Sequence, residues 1–214
     1  MKRYDDKLSG RQRRLRYAVR RLRWLAVVLL VTAGLILGDR LGMFGRRRPL
    51  ARGDYESYHG KAFRVVYVVD GDTLDVNAPD GRRDRTRVRL WGVDTPETRH
   101  PDKAVQHFGP EATAFTRQAC AGREVTLGLV HGTTRGRHGR LLAYVTVAGG
   151  RMLNRQLVRL GYAYADPRYE HPRKGEFERL QAEAMAARRG LWRDVRNADL
   201  PYYYRDSLPL PRTR

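Results

Sequence analysis

Cysteine is all but missing from this sequence: Cys120 stands alone among 214 residues, so neither an intrachain disulfide nor a cysteine-based zinc cluster can form. That excludes a small disulfide-stapled secreted scaffold and fits either side of a membrane. Histidine is sparse too. His100 and His107, like His131 and His138, stand seven residues apart, a spacing that does not set two imidazoles on one helix face for zinc. There is no phosphate-loop signature and no internal repeat of solenoid period. Acidic residues are in deficit: 43 Lys and Arg face 23 Asp and Glu, a net charge of +20. The excess is shared evenly. Residues 1–59 carry 15 basic against 5 acidic side chains and residues 60–214 carry 28 against 18, so each part has about +10. A basic folded part points to polyanion partners, nucleic acid first and anionic lipid second; charge that serves only solubility in an arginine-rich sequence is the bland alternative.

Long hydrophobic runs are also few. The single one is residues 24–38, fifteen mostly apolar residues preceded by ten Lys and Arg and followed closely by Arg40, Arg46, Arg47 and Arg48. The bias of positive charge places the N-terminus in the cytoplasm and the remainder outside. Fifteen residues rise only about 22 Å in a helix, short of a hydrocarbon core of roughly 30 Å. Snorkelling by Arg23 and Arg40, with Leu41, Met43 and Phe44 adding apolar length, closes the gap. A cleaved signal peptide, and hence a secreted protein, is the rival, but no Ala-x-Ala site follows the run. The expected organisation is a basic cytoplasmic segment (1–23), a transmembrane anchor or uncleaved signal (24–44), a linker (45–59), a folded domain (60–195) and a loose or surface-bound tail (196–214).

Within the folded domain, residues 63–69 are β-rich and end at Asp70-Gly71-Asp72, where glycine permits a sharp turn. Residues 73–76 continue as a second strand. The turn sequence Ala78-Pro79-Asp80-Gly81 leads to a third, in which Val88 and Leu90 alternate with Arg87 and Arg89. Pro110 and Glu111 open a helix that Gly122 stops. Two more strands are expected over 125–130 and 141–147, separated by the cationic, glycine-rich loop 132–140, and helices over 152–160 and 175–189. Leu191 and Trp192 dock on the core. Five short strands with about three helices between and after them predict an α+β fold, a five-stranded Greek-key barrel of the oligonucleotide-binding (OB) type, preceded by one N-terminal transmembrane helix.

The chemistry gathers around Arg89 to Thr98. Pro96 restricts its own φ and the geometry of Thr95, which gives the Thr95 carbonyl and the Asp94 carboxylate defined directions. Asp70, Asp72 and Asp94 lie at strand ends that a meander can bring to one end of the barrel, and such hard oxygen ligands suit Ca²⁺ or Mg²⁺. Arg89 and Arg140 can donate forked hydrogen bonds to phosphate oxygens. Glu97 is the remaining carboxylate, suited to act as a general base on water. Each feature also has a plain reading: a turn for Asp70 and Asp72, solvated strand charges for the arginines, an ion pair with Arg99 or Lys103 for Glu97.

The spaced set Asp70-Gly71-Asp72-Thr73, Arg89, Val93-Asp94-Thr95-Pro96-Glu97-Thr98, His100-Pro101, Phe108-Gly109-Pro110-Glu111-Ala112, Gly139-Arg140 and Leu157-Val158-Arg159, in that order over residues 63–192, resembles the staphylococcal nuclease (thermonuclease) family. The resemblance implies an OB-fold barrel and a Ca²⁺-dependent phosphodiesterase that cleaves DNA and RNA to products with 3′-phosphates. It implies that Asp72 and Asp94 bind calcium by carboxylate and Thr95 by its carbonyl, with Asp70 just behind them. Glu97 is then the general base, and Arg89 and Arg140 hold the phosphate and stabilise the five-coordinate transition state. Two departures stand out: His138 occupies the place of a tyrosine, and the loop 166–174 diverges, leaving Tyr169 as the candidate for stacking on a nucleotide. A non-catalytic, membrane-tethered nucleic-acid-binding domain is the competing expectation.

Overall fold

The computed structural model describes residues 20–29, 31–32, 53–98, 105–205 and 207–208. The chain divides into two units, Met1–Ala51 and Arg52–Arg214. In the first, residues 20–29 and 31–32 are helical, and Leu22, Trp24, Leu25 and Leu29 are exposed. Among the described residues no helix is long and apolar enough to cross a membrane; residues 33–44 of the expected anchor lie outside them.

The second unit opens with a short helix, α1 (Asp54–Tyr58), inside the stretch expected to be linker. Tyr58 is buried. Its hydroxyl donates to the Pro79 carbonyl at 3.1 Å and lies 3.1 Å from the Thr86 hydroxyl. The packed body therefore reaches upstream of residue 60. Strands β1 (Lys61–Val68), β2 (Thr73–Val76) and β3 (Thr86–Leu90) form the expected antiparallel meander. β1 carries an irregularity between Val65 and Tyr67, a bulge that bends the strand end leading to Asp70.

β4 (Val93–Asp94) follows, then α2 (Gly109–Cys120) and β5 (Glu124–Gly128), which pairs with the other edge of β1. β6 (Leu141–Val147) runs antiparallel to β5 and parallel to β3. That last pairing closes β3-β2-β1-β5-β6 into a five-stranded barrel of OB topology. Alternation drives the closure: Leu74, Val76, Val88, Leu90, Leu127, Leu141 and Ala143 point inward with no exposure, whereas Arg87 on β3 stays outside.

β7 (Arg151–Met152), α3 (Leu153–Arg159), β8 (Tyr164–Ala165) and α4 (Lys174–Ala186) complete the body, followed by 3₁₀ turns at Gly190–Arg193 and Asn197–Asp199. Asn154 of α3 is fully buried and satisfied: its side-chain oxygen accepts from Val145 N–H at 2.9 Å and its amide donates to the Trp91 carbonyl at 2.9 Å. This staple fixes the chain where β3 turns into β4. A second apolar cluster joins Tyr164, Ala184, Leu191, Trp192, Leu200 and Tyr204. Leu191 and Trp192 dock as expected, and the segment after residue 195 is packed against the body as far as it is described, the second of the two arrangements expected for it.

Candidate active site

The turn from β1 to β2 and the turn after β4 are pressed together. A Cβ on Gly71 would lie 2.7 Å from the Thr95 side chain, so only glycine allows the approach, and the Thr116 hydroxyl of α2 holds the Gly71 carbonyl at 2.6 Å. Asp72 is thereby placed beneath β4, almost wholly buried. Its Oδ2 accepts from the backbone N–H of Thr95 at 2.8 Å and from the Thr95 hydroxyl at 3.1 Å, and its Oδ1 from the Thr73 hydroxyl at 2.9 Å. In the β2–β3 ladder Thr73 is paired with Arg89, which brings the guanidinium over the same carboxylate.

Arg89 bridges two acids. One guanidinium nitrogen donates to Asp72 Oδ1, the other to Asp94 Oδ1 and to the Val93 carbonyl. The parallel register of Arg89 with Leu142 then sets Arg140, just ahead of β6, beside them, with its guanidinium 3.4 Å from the Thr73 hydroxyl. Burial first, and repulsion from Arg89 second, lower the pKa of Arg140. Burial likewise raises that of Asp70 above the ordinary carboxyl value, against the pull of Arg89. Two shifted groups side by side in one cleft mark it as a candidate functional site.

These groups surround a cavity of about 460 Å³ lined by Asp70, Arg89, Asp94, Glu97, His138 and Arg140. Tyr169 is also on its wall, about half exposed. Asp72 and Thr95 lie behind the wall, both buried. Glu97 is held by its neighbours: its backbone N–H donates to Gln106 Oε1 at 2.7 Å, and its Oε1 accepts from Thr98 N–H at 3.0 Å. The cationic loop 132–140 forms the opposite lip. Arg135 braces it with paired bonds to Asp54 and Asp80 and with one to the Gly139 carbonyl at 2.8 Å.

Two residues on Asp94 went unforeseen. Arg168 pairs with its Oδ2 at 3.2 Å and with Asp166 at 2.8 Å, and the Tyr203 hydroxyl donates to the same Oδ2 at 2.6 Å. Burial and the nearby Asp94 charge push the Tyr203 phenol far up in pKa, so it remains a donor. Arg168 could have been suspected from its place in the divergent loop; Tyr203 carries no sequence signal, because it lies in a tail rich in tyrosine and proline.

The donor chemistry fits a hard divalent cation. The donors that Asp72, Asp94 and Thr95 offer are all oxygen, and one guanidinium reaching both Asp72 and Asp94 shows that the two carboxylates can serve a single positive charge. Among the described residues no group of three or more His, Cys, Asp and Glu side chains surrounds a common point. An ion here would use the two aspartates, a backbone carbonyl such as that of Thr95, and water.

Fold and site together define an OB barrel with a cationic, carboxylate-bearing cleft at the rim where β3, β4 and β6 meet. The chain belongs to the staphylococcal nuclease family: residues 87–194 match the family described as staphylococcal nuclease homologue. It is 33% identical to the thermonuclease of Staphylococcus hyicus over 147 residues, covering 67% of this chain and 83% of that protein. It is also 35% identical over 137 residues to the thermonuclease of Staphylococcus intermedius (62% and 77% covered) and 35% identical over 132 residues to an uncharacterized endonuclease of Escherichia coli (62% and 77%). By class, the protein is a nuclease, a hydrolase.

Proposed function

We propose that this nuclease is a calcium-dependent phosphodiesterase that cleaves DNA and RNA to products ending in 3′-phosphate, held at a membrane by its N-terminal segment with the barrel outside the cytoplasm. The observation that supports it best is the Arg89 guanidinium joined to both Asp72 and Asp94 in a cleft that Glu97 and Arg140 also line. Asp72, Asp94 and the Thr95 carbonyl would hold the calcium, which when bound supplies positive charge to the phosphate oxygens as negative charge builds on them.

The chain's own residues do the rest. Glu97 takes the proton from a water attacking phosphorus; the new P–O bond forms as the bond to the 5′-oxygen breaks, and that oxygen leaves as a hydroxyl after taking up a proton. Arg140, beside Arg89 at the cleft, binds the phosphate, and Arg89 exchanges part of its carboxylate contacts for phosphate oxygens. Asp70 stands near Arg89 on the wall of the same cleft. His138 and Tyr169 on the wall offer faces to the bases on either side. The basic charge before the apolar run and the exposed Trp24, Leu25 and Leu29 support the membrane attachment.

The test is cleavage of plasmid DNA and of RNA by the purified full-length protein in calcium and then in chelator, with end-group analysis of the products. Cleavage abolished by chelator, restored by calcium, with 3′-phosphate ends, is expected; turnover that persists in chelator would sink the calcium assignment. Glu97→Gln should lower the rate by about 10² to 10⁴ while nucleotide binding survives. Protease access in intact and in opened cells reads the side of the membrane on which the barrel lies.

A further inference from the structure

We propose that Tyr203 is a positioning residue for Asp94: its phenol fixes one carboxylate oxygen so that the other faces the cation. This rests on the reading of Asp94 as a cation ligand. The two oxygens of Asp94 have different surroundings. Oδ2 accepts from the Tyr203 hydroxyl at 2.6 Å and pairs with Arg168 at 3.2 Å. Oδ1 is turned toward Arg89 and, across it, toward Asp72, which is the side where a shared cation would sit. An isolated aspartate carboxylate rotates freely about its terminal bond. One held by an outer hydrogen-bond donor presents a single oxygen in a set direction, the usual arrangement behind a metal-binding carboxylate.

The clamp is a built feature. The Arg168 guanidinium lies 4.3 Å from the centre of the Tyr203 ring and so closes the ring, the hydroxyl and the carboxylate into one unit. The segment that carries Tyr203 is secured independently of that hydroxyl. Leu200 and Tyr204 are buried. The Tyr204 hydroxyl donates to the Ala165 carbonyl and accepts from the Gln181 amide at 3.2 Å, and Leu208 N–H returns to the Tyr204 carbonyl at 3.1 Å. Ala165 belongs to β8, whose partner strand β4 carries Asp94 itself. The tail and the acid therefore share one platform, and the docking of the tail does not require the phenol to reach Asp94. The family match ends at residue 194, so the residue that aims this carboxylate comes from outside the matched region.

The test is calcium titration by calorimetry of the full-length protein in detergent, stripped of metal, comparing wild type, Tyr203→Phe and Asp94→Asn, with thermal melts in chelator alongside. Tyr203→Phe keeps the ring and removes only the hydroxyl. It should weaken calcium binding by about 10-fold to 100-fold while the cooperative melt is kept, and Asp94→Asn should weaken it at least as much. Wild-type affinity in Tyr203→Phe with weak binding in Asp94→Asn would overturn the role of Tyr203 and leave the ligand reading standing. Tighter binding in Tyr203→Phe would also overturn it, because the phenol would then be competing with the ion. Unchanged affinity in both variants would remove Asp94 from the ligands, and this proposal with it.

Discussion

Gly92 and His171 are packed with no room between them: a Cβ on Gly92 would lie 2.4 Å from the Cε1 and Nε2 atoms of the imidazole. The ring has little freedom to retreat, because its Nδ1 is hydrogen-bonded to the Tyr144 hydroxyl at 2.9 Å and it packs beside Trp91 and Phe177. Gly92 also has φ +77°, a conformation that side-chain-bearing residues rarely adopt. Gly92→Ala should therefore destabilise the protein by about 2–4 kcal/mol, combining backbone strain with overpacking, as read from urea unfolding. The turn it distorts connects Arg89 to Asp94, so nuclease activity should fall further than the unfolded fraction explains. Adding His171→Ala should recover part of the turn-specific loss, a coupling that a double-mutant cycle measures.

Asp70 predicts a gain. Burial raises its folded-state pKa above the ordinary value of 3.8, so the folded chain favours the protonated acid more than the unfolded chain does. The stabilisation that this proton provides is complete below the unfolded value and is lost as pH rises through the folded one; at neutral pH, ionised Asp70 costs stability. Asp70→Asn, neutral at every pH, should be more stable than wild type at pH 7, and the advantage should shrink to nothing as pH falls below about 4. Denaturant titrations across that range are the measurement, and an advantage that grows toward acid would contradict the assignment.

How far the sequence alone could lead depends on the range of the signal. β2 and β6 were legible to the residue because each is a short run of apolar and β-branched residues bounded by turn sequences. The cleft was legible because the acids and arginines lie in short spaced motifs, and Asp70, Arg89, Asp94, Glu97 and Arg140 do meet around one cavity. Helix α1 was missed since five residues hold too little periodicity, and its value lies in Tyr58 reaching Pro79 and Thr86. Among the described residues the two-residue strands β4 and β8 pair only with each other, and they have no pattern of their own. The docked tail was unreadable for a similar reason: tyrosines beside proline suit a loose end or a buried one, and only the surface prepared by Ala165 and Gln181 decides between them.

Arg135 should matter to catalysis without entering the cleft chemistry. It holds Asp54 and Asp80 through paired bonds of 2.7–3.1 Å and the Gly139 carbonyl next to Arg140, so it sets how the cationic lip closes over β6. Both acids are partly exposed, which tempers the worth of each pair. Arg135→Met should cost about 1–2 kcal/mol in stability. Activity at saturating substrate should drop by about tenfold as Arg140 loses its fixed position. Measuring kcat and KM beside a urea melt separates the two, and full activity in a destabilised variant would show that the lip needs no brace.

Arg89 gives the sharpest separation of structure from metal. Its side chain is 16% exposed and lies between Asp72 at 2% and Asp94 at 22%. Removing the guanidinium takes from Asp72 its partner in the ion pair and leaves Asp94 with Arg168. In chelator, Arg89→Gln should lose about 3 kcal/mol, near the lower end for breaking a buried pair because Asp94 keeps Tyr203 and Arg168. Calcium should return much of that loss, since an ion that binds only the folded form adds about 2.7 kcal/mol at a hundred times its dissociation constant. The increment should exceed that of wild type, where, under the proposed assignment, calcium would first have to displace the guanidinium from the carboxylates. Activity should stay down by about 10² to 10³ even when calcium has restored the melt, because stabilisation of the transition state is not returned with the fold. Thermal melts of both proteins across a calcium series, paired with plasmid cleavage, give the comparison; an equal calcium increment in the two would mean that Asp72 and Asp94 do not share the ion that Arg89 now replaces.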